Sequence, residues 1–231
     1  LTKINSPDKN IMTVEDPVEY ELAGVNQVRA RPEIGLDFAA ALRSFLRQDP
    51  DVILVGEIRD LETAAIAIKA AQTGHLVFST LHTNDATSAI DRLTNMGVEP
   101  YLICSSLNLV IAQRLVRRIC VNCKEPYEPD RVLVEKYQDV MGDVEGNVTF
   151  YHGAGCAECS KTGYRGRVAL YELFPITRAI KDSVLQGVIG SAIRDRALDG
   201  GMVPLVANGI QKVREGMTTL DEVIAVSSGA A

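Results

Sequence analysis

Two Cys-x-x-Cys pairs, Cys120-Val-Asn-Cys123 and Cys156-Ala-Glu-Cys159, occur with 32 residues between them. Each such turn can aim two thiolates at one ion, and two turns complete a tetrahedral zinc site. Four thiolates leave no open position for a substrate, so a zinc held this way is structural. The intervening segment exceeds the roughly 15 to 20 residues of the commonest doubled pattern. The other readings are a redox pair or unligated buried cysteines, but a thioredoxin-like motif does not come doubled. The fifth cysteine, Cys104, reads as a small buried residue.

A second set of chemically capable residues follows short apolar runs. Ile11-Met-Thr-Val runs into Glu15-Asp16-Pro17-Val18-Glu19, Val52-Ile-Leu-Val into Gly56-Glu57-Ile58-Arg59, and Leu76-Val-Phe-Ser-Thr into Leu81-His82. A carboxylate directly after an apolar strand is how nucleotide hydrolases hold Mg²⁺ or orient a water, the Walker B arrangement. Taken singly, Glu15 and Asp16 could cap a turn before Pro17, and Glu57 could form a surface pair with Arg59. Three strand ends converging on one edge favour a nucleotide or metal-phosphate site. His82 is the candidate catalytic or sensing imidazole. His75 starts the same strand and lies at its far end, so it is the weaker candidate. No GxxxxGK[ST] occurs in the 231 residues, which as given should bind ATP weakly or not at all.

The elements needed to position these groups alternate. The three apolar runs read as buried parallel strands. Between the first two, Phe38, Leu42, Phe45 and Leu46 share a helical face behind an Asp37 cap. Between the second and third, a helix runs from an Asp60 cap to Gln72 and stops at Gly74. This alternation implies an α/β fold with a doubly wound sheet. A third helix is expected from an Asp85 cap to Gly97, and a fourth from Pro100 towards Arg118 with Leu107, Ile111 and Leu115 in register. From Cys120 to Gly166 the pattern is broken by Pro126, Pro129, Gly142, Gly146, Gly153, Gly155 and Gly163, so that stretch needs a staple. After a short strand at Val168-Ala-Leu-Tyr171 the chain reads helical over 177–186, 190–198, 203–214 and 219–226. Thr219-Leu-Asp-Glu222 is a capping-box pattern. Three domains are expected: the sheet domain over 1–118, the tetracysteine subdomain over 119–168, and a C-terminal helical domain over 169–231.

Composition fits this picture: 46% hydrophobic residues, 23% charged, and 24 Lys+Arg against 30 Asp+Glu for a net charge of −6. The acidic balance argues against nucleic acid as the main partner. The one local basic cluster, Arg114, Arg117, Arg118 and Lys124, reads as a solvated helix end. No apolar run reaches the roughly 18 to 20 residues that span a bilayer, so any membrane role is expected to be peripheral. Five cysteines are too few for a disulfide scaffold, making the cytoplasm the default compartment. The chain opens at Leu1-Thr2-Lys3 without Met, and is expected to be a stretch of something longer.

Ile11-Met-Thr-Val-Glu-Asp-Pro-Val-Glu19 resembles the Asp box of the type II secretion and type IV pilus ATPases. Leu46-Arg-Gln-Asp-Pro-Asp-Val-Ile-Leu-Val-Gly-Glu-Ile-Arg-Asp60 is similar to their Walker B segment, and Thr73-Gly-His-Leu-Val-Phe-Ser-Thr-Leu-His-Thr-Asn-Asp85 to their His box. The resemblance runs from about residue 3 to residue 226. It implies a RecA-like sheet, partial here because the phosphate-loop strand would lie just upstream of residues 1–10. It makes Glu15 the residue that polarises the attacking water, Glu57 the organiser of Mg²⁺ and water, and His82 the contact to the γ-phosphate. Asp16, Glu19, Arg59 and His75 are the remaining candidates for contact with Mg²⁺ and ATP. The family's Walker B, like this one, has a glycine, Gly56, where an aspartate usually precedes the glutamate. The tetracysteine insertion, followed by Gly163-Tyr-Arg-Gly-Arg-Val-Ala-Leu-Tyr-Glu172, resembles assembly and secretion ATPases rather than retraction ATPases. The resemblance further implies a homo-hexamer, docked on the cytoplasmic face of the inner membrane against a platform protein. Two competing readings are a catalytically silent, zinc-stapled binding module and a nucleic-acid motor.

Overall fold

A computed structural model describes residues 1–137 and 149–227. In chain order the elements are strand β1 (Ile11–Glu15), β2 (Asn26–Arg29), helix α1 (Phe38–Phe45), β3 (Val52–Val55), α2 (Leu61–Gln72), β4 (Leu76–Ser79), α3 (Ser88–Asn95) and α4 (Pro100–Ser106). There follow β5 (Leu109–Ile119), β6 (Lys124–Tyr127), α5 (Arg131–Lys136), β7 (Phe150–Gly153) and β8 (Tyr164–Pro175). The chain closes with α6 (Arg178–Leu185), α7 (Ser191–Asp199), α8 (Leu205–Arg214) and α9 (Leu220–Ser227). The expected chain breakers Gly142 and Gly146 lie outside the described residues. The chain divides into two compact units: residues 1–83, 88–108 and 176–193, and residues 84–87, 109–175 and 194–231. The boundaries expected at 118 and 168 fall within β5 and β8.

The first unit is built on a parallel sheet of order β2-β1-β3-β4. Its centre is β3, whose Val52, Ile53 and Val55 are buried as a central parallel strand requires. Val14 of β1, Leu42 and Phe45 of α1, and Ala64, Ala67 and Ala70 of α2 complete the core. Both helices start where their caps were read: Asp37 accepts from the Ala40 N–H and Asp60 from the Thr63 N–H, each at 2.8 Å. The strand β2 was not expected. Asn-Gln-Val-Arg carries no apolar run, and it pairs only because it sits at the sheet edge beside β1.

The second unit corrects the reading of 100–118 as one helix. The chain leaves the helix at Leu107, whose backbone is extended, and 109–119 pairs antiparallel with β8. Leu107, Ile111 and Leu115 do recur every four residues, but so does a two-residue alternation. Ala112 and Val116 are buried while Ile111, Gln113 and Leu115 are exposed. The long ladder with β8, one strand of which was read only as 168–171, decides in favour of the strand. Three members of the basic cluster are engaged inside this unit. Arg117 donates twice to Glu222, at 2.6 and 3.0 Å, and lies 4.2 Å above the Tyr164 ring. Arg114 donates to the Asn84 carbonyl, and the Lys124 ammonium sits 4.1 Å over Tyr151. Beneath the ribbon, Glu172 is fully buried and accepts from the N–H groups of Ala86 and Leu205, with Arg194 at 3.6 Å. Among the described residues no helix is long and apolar enough to cross a membrane.

Packing in this unit is close at Gly209 of α8, where a Cβ would lie 2.4 Å from a Val223 methyl and 3.2 Å from a Leu170 methyl. Helix propensity alone would favour alanine there by about 1 kcal/mol. Forcing a methyl against a stiff, buried valine costs about 1–3 kcal/mol. Gly209→Ala is therefore expected to lower the thermal midpoint, and a raised midpoint would show that α8 and α9 are not in this contact.

Candidate active site and metal centre

The parallel register brings three strand ends to one edge. Val14 stands opposite Val55, and the Gly56 N–H extends the ladder by donating to the Val14 carbonyl at 2.8 Å. On the other side the Thr80 hydroxyl donates to the Gly56 carbonyl at 2.6 Å and the Ile58 N–H to the Thr80 carbonyl at 3.0 Å. Glu15, Glu57 and His82 therefore leave successive strands β1, β3 and β4 on the same side, with neighbouring strands about 4.8 Å apart. Gly56 suits the junction: a Cβ there would lie 3.2 Å from the Val14 oxygen and 3.3 Å from the Glu15 Cα, so a larger residue would need the facing backbone to give by a few tenths of an ångström.

Glu57 is the hub. Its Oε1 accepts from the Arg59 guanidinium, and its Oε2 lies 2.9 Å from the His82 Nε2. The Glu57 side chain is only 14% exposed, whereas those of Arg59 and His82 are 61% and 82% exposed. The bond from Arg59 holds the Glu57 carboxyl below its ordinary range, against partial desolvation that raises it, and His82 adds to the lowering. Asp16 contributes its charge near Arg59. Beside this edge a cavity of about 280 Å³ is lined by Gly56, Phe78, Ser79 and Thr80, with Leu1 at its margin.

Glu15 is half-buried and anchored elsewhere: its Oε1 accepts from the Thr13 hydroxyl at 2.6 Å and from the Gln27 amide at 3.0 Å. Asp16 and Glu19 are exposed in the loop after β1. His75 stands at the opposite end of β4 from His82. Its Nδ1 lies 2.8 Å from the Ala70 carbonyl and 3.1 Å from the Thr73 hydroxyl, at the C-terminal turn of α2. The structure thus brings Glu57, Arg59 and His82 into direct contact and leaves His75 outside the group. Thr13 and Gln27 were not singled out from sequence. The available signal was a hydroxyl inside an apolar strand, two residues before an acid and so on the same face.

The four cysteines form a second centre, in the other unit. All four sulfurs lie within 4.8 Å of one another, with Cys120–Cys156 and Cys123–Cys159 at 3.8 Å and Cys156–Cys159 at 3.7 Å. These separations are far beyond a disulfide. A Zn²⁺ with four thiolates at about 2.3 Å sets its sulfurs about 3.8 Å apart, so the donor set fits this ion. Backbone N–H groups of Gly155, Cys156 and Gly163 point at the sulfurs from 3.2 to 3.3 Å. Such outer donors hold charged thiolates in place. The bond from the Cys156 N–H, followed by that from Gly163, brings the Cys159 thiol down to about 6, whereas desolvation pushes Cys123 up to about 12. Glycine is needed at 153 because a Cβ there would lie 2.1 Å from the Gly163 carbonyl oxygen.

The family model described as Type II/IV secretion system protein matches residues 1–225, and the chain belongs to that family. The type IV pilus assembly ATPase PilB of Myxococcus xanthus is 51% identical over 226 residues, covering 97% of this chain and 40% of that protein. The type II secretion system protein E of Dickeya dadantii is 45% identical over 227 residues, covering 98% of this chain and 44% of that protein. Among solved structures, the pilus retraction motor PilT with bound ADP aligns at a TM-score of 0.65 and 29% identity, over 95% of this chain and 52% of that one. The chain spans less than half the length of these two curated relatives.

Cys156→Ser should release the metal and loosen the β6–β7 region, because metal binding to such a site is folding free energy. Metal content by atomic emission, together with hydrogen exchange over 120–127 and 149–166, reads both effects. Full metal occupancy in the variant would contradict a four-thiolate site.

Proposed function

We propose that this chain is the catalytic part of an ATP-hydrolysing motor subunit that powers type IV pilus assembly or type II protein secretion. Its support is the Glu57 carboxylate, kept ionised by Arg59 and touched by His82 at the C-terminal edge of a parallel sheet, in a chain of this family. On this reading Glu15 accepts a proton from the attacking water while the water oxygen bonds to the γ-phosphorus and the bond to the ADP oxygen breaks. Glu57 orients that water and the metal's ligands, and His82 reaches the γ-phosphate. Asp16, Glu19 and Arg59 are the further candidates for contact with Mg²⁺ and ATP. Mg²⁺, bound with ATP, neutralises charge on the phosphates. The four cysteines hold a structural zinc. None of the 231 residues forms a GxxxxGK[ST] cradle, so on this reading other residues of the protein supply it and these alone turn over little ATP. The subunit acts as a homo-hexamer on the cytoplasmic face of the inner membrane, peripheral to it, against a platform protein.

The test is Mg²⁺-dependent ATP turnover by protein from the complete reading frame, beside residues 1–231 and the complete Glu57→Gln variant. Turnover is expected in the complete protein alone. The variant should bind ATP nearly as well and hydrolyse it at least about 100-fold more slowly. Near-normal turnover by the variant would remove Glu57 from the mechanism, and silence of all three in an assembled ring would favour a binding module.

A further inference from the structure

Glu15 is held by two side chains that the reading above gives no role. The Thr13 hydroxyl, from a residue fully buried in β1, donates to its Oε1 at 2.6 Å, and the Gln27 amide of the paired strand β2 donates to the same oxygen at 3.0 Å. Thr13 and Gln27 stand opposite each other in the parallel register, and Glu15 follows Thr13 by two residues, so all three share one face of the sheet. The orientation of the Gln27 amide is fixed by its other partners. Its nitrogen also donates to the Tyr20 carbonyl at 3.0 Å, while its oxygen accepts from the Leu22 N–H at 2.7 Å. A flipped amide would set oxygen against both a carboxylate and a carbonyl and lose all three bonds.

The geometry points to Thr13 and Gln27 as positioning residues for Glu15, anchoring Oε1 so that Oε2 is the oxygen left to take the proton from water. This rests on the reading of Glu15 as the base. The physical reason is orientational. A free carboxylate spins about its last torsion, and a general base acts only within about 2.6–3.2 Å of the proton it removes. Two donors on one oxygen fix that torsion, and Gln27 ties the loop after β1 to the same point. Among the described residues Oε2 has no hydrogen-bond partner, which leaves its capacity for a water molecule.

Thr13→Val keeps the shape of the buried side chain and removes only the donor. In the complete protein it should lower kcat for ATP by about 10- to 100-fold while KM stays within about twofold. Thr13→Ser, which restores the hydroxyl, should recover most of the rate. A role confined to folding would lower the thermal midpoint of Thr13→Val and leave the kcat of the folded fraction unchanged. Glu15→Gln in the same assay separates the two claims. If Glu15→Gln is inactive and Thr13→Val is normal, the positioning role is overturned while the base survives. If Glu15→Gln turns over normally, the reading of Glu15 falls and the positioning role with it. Where Glu15→Gln keeps a measurable residual rate, adding Thr13→Val should cost nothing further, since both act through one carboxylate. Should Thr13→Val not fold, Gln27→Leu on the half-buried edge strand carries the same kcat and KM expectation, and a normal kcat there overturns the proposal equally.

Discussion

A Cβ at position 56 would lie 3.2 Å from the Val14 carbonyl oxygen and 3.3 Å from the Glu15 Cα, a tight fit that glycine relieves where β3 closes on β1. That closure allows the Gly56 N–H to continue the ladder and its carbonyl to receive the Thr80 hydroxyl. Three strands are thereby locked at their C-terminal ends, and the side chains that follow them are delivered to one line. An aspartate at 56, as in many Walker B segments, would require the Val14 carbonyl and the Glu15 backbone to give by a few tenths of an ångström.

From that edge outward, interactions become progressively more exposed. Glu57 sits mostly shielded between Arg59 and His82, whose own side chains face solvent. The pairing contributes little to stability, because both partners of the carboxylate are screened by water. What it does is keep a half-shielded acid ionised, the state in which it can orient a metal-bound water. Glu15 is treated differently, with neutral donors from within the sheet. Two acids on adjacent strands thus have contrasting environments, which suits two different roles. In the second unit the four thiols perform a purely architectural task. Glycines at 153 and 163 let two backbones approach closely enough for the sulfurs to converge. The short β6–β7 ribbon buries little by itself, and on the proposed reading a zinc joining it to the turn at 156–159 would supply what its core lacks.

Much of this was legible in the sequence because chain direction and chemistry coincide. Short apolar runs ending in an acid or a histidine announce parallel strands and their functional ends together, and Asp37 and Asp60 mark helix starts by their own side-chain bonds. Doubled Cys-x-x-Cys pairs carry their geometry in their spacing. The failures have physical causes as well. The 109–119 strand fits a four-residue period and a two-residue one, and only its distant partner at 164–175 decides between them. The strand 26–29 has no apolar signature because an edge strand needs little burial. Glu172 ends a segment that the sequence marks only by resemblance, yet it is fully buried and held by two N–H groups from segments that are remote in sequence. Thr13 lies inside an apolar run, and its hydrogen bond to Glu15 is something that pattern does not reveal.

On the proposed reading, the shared edge of β1, β3 and β4 is where a nucleotide's terminal phosphate is handled. The most direct measurement is a structure of the complete protein with Mg²⁺ and a non-hydrolysable ATP analogue. The account predicts the γ-phosphate within hydrogen-bonding reach of His82, with the metal's water shell against Glu57. A triphosphate bound with full occupancy away from that edge, and with His82 still paired to Glu57, would contradict it.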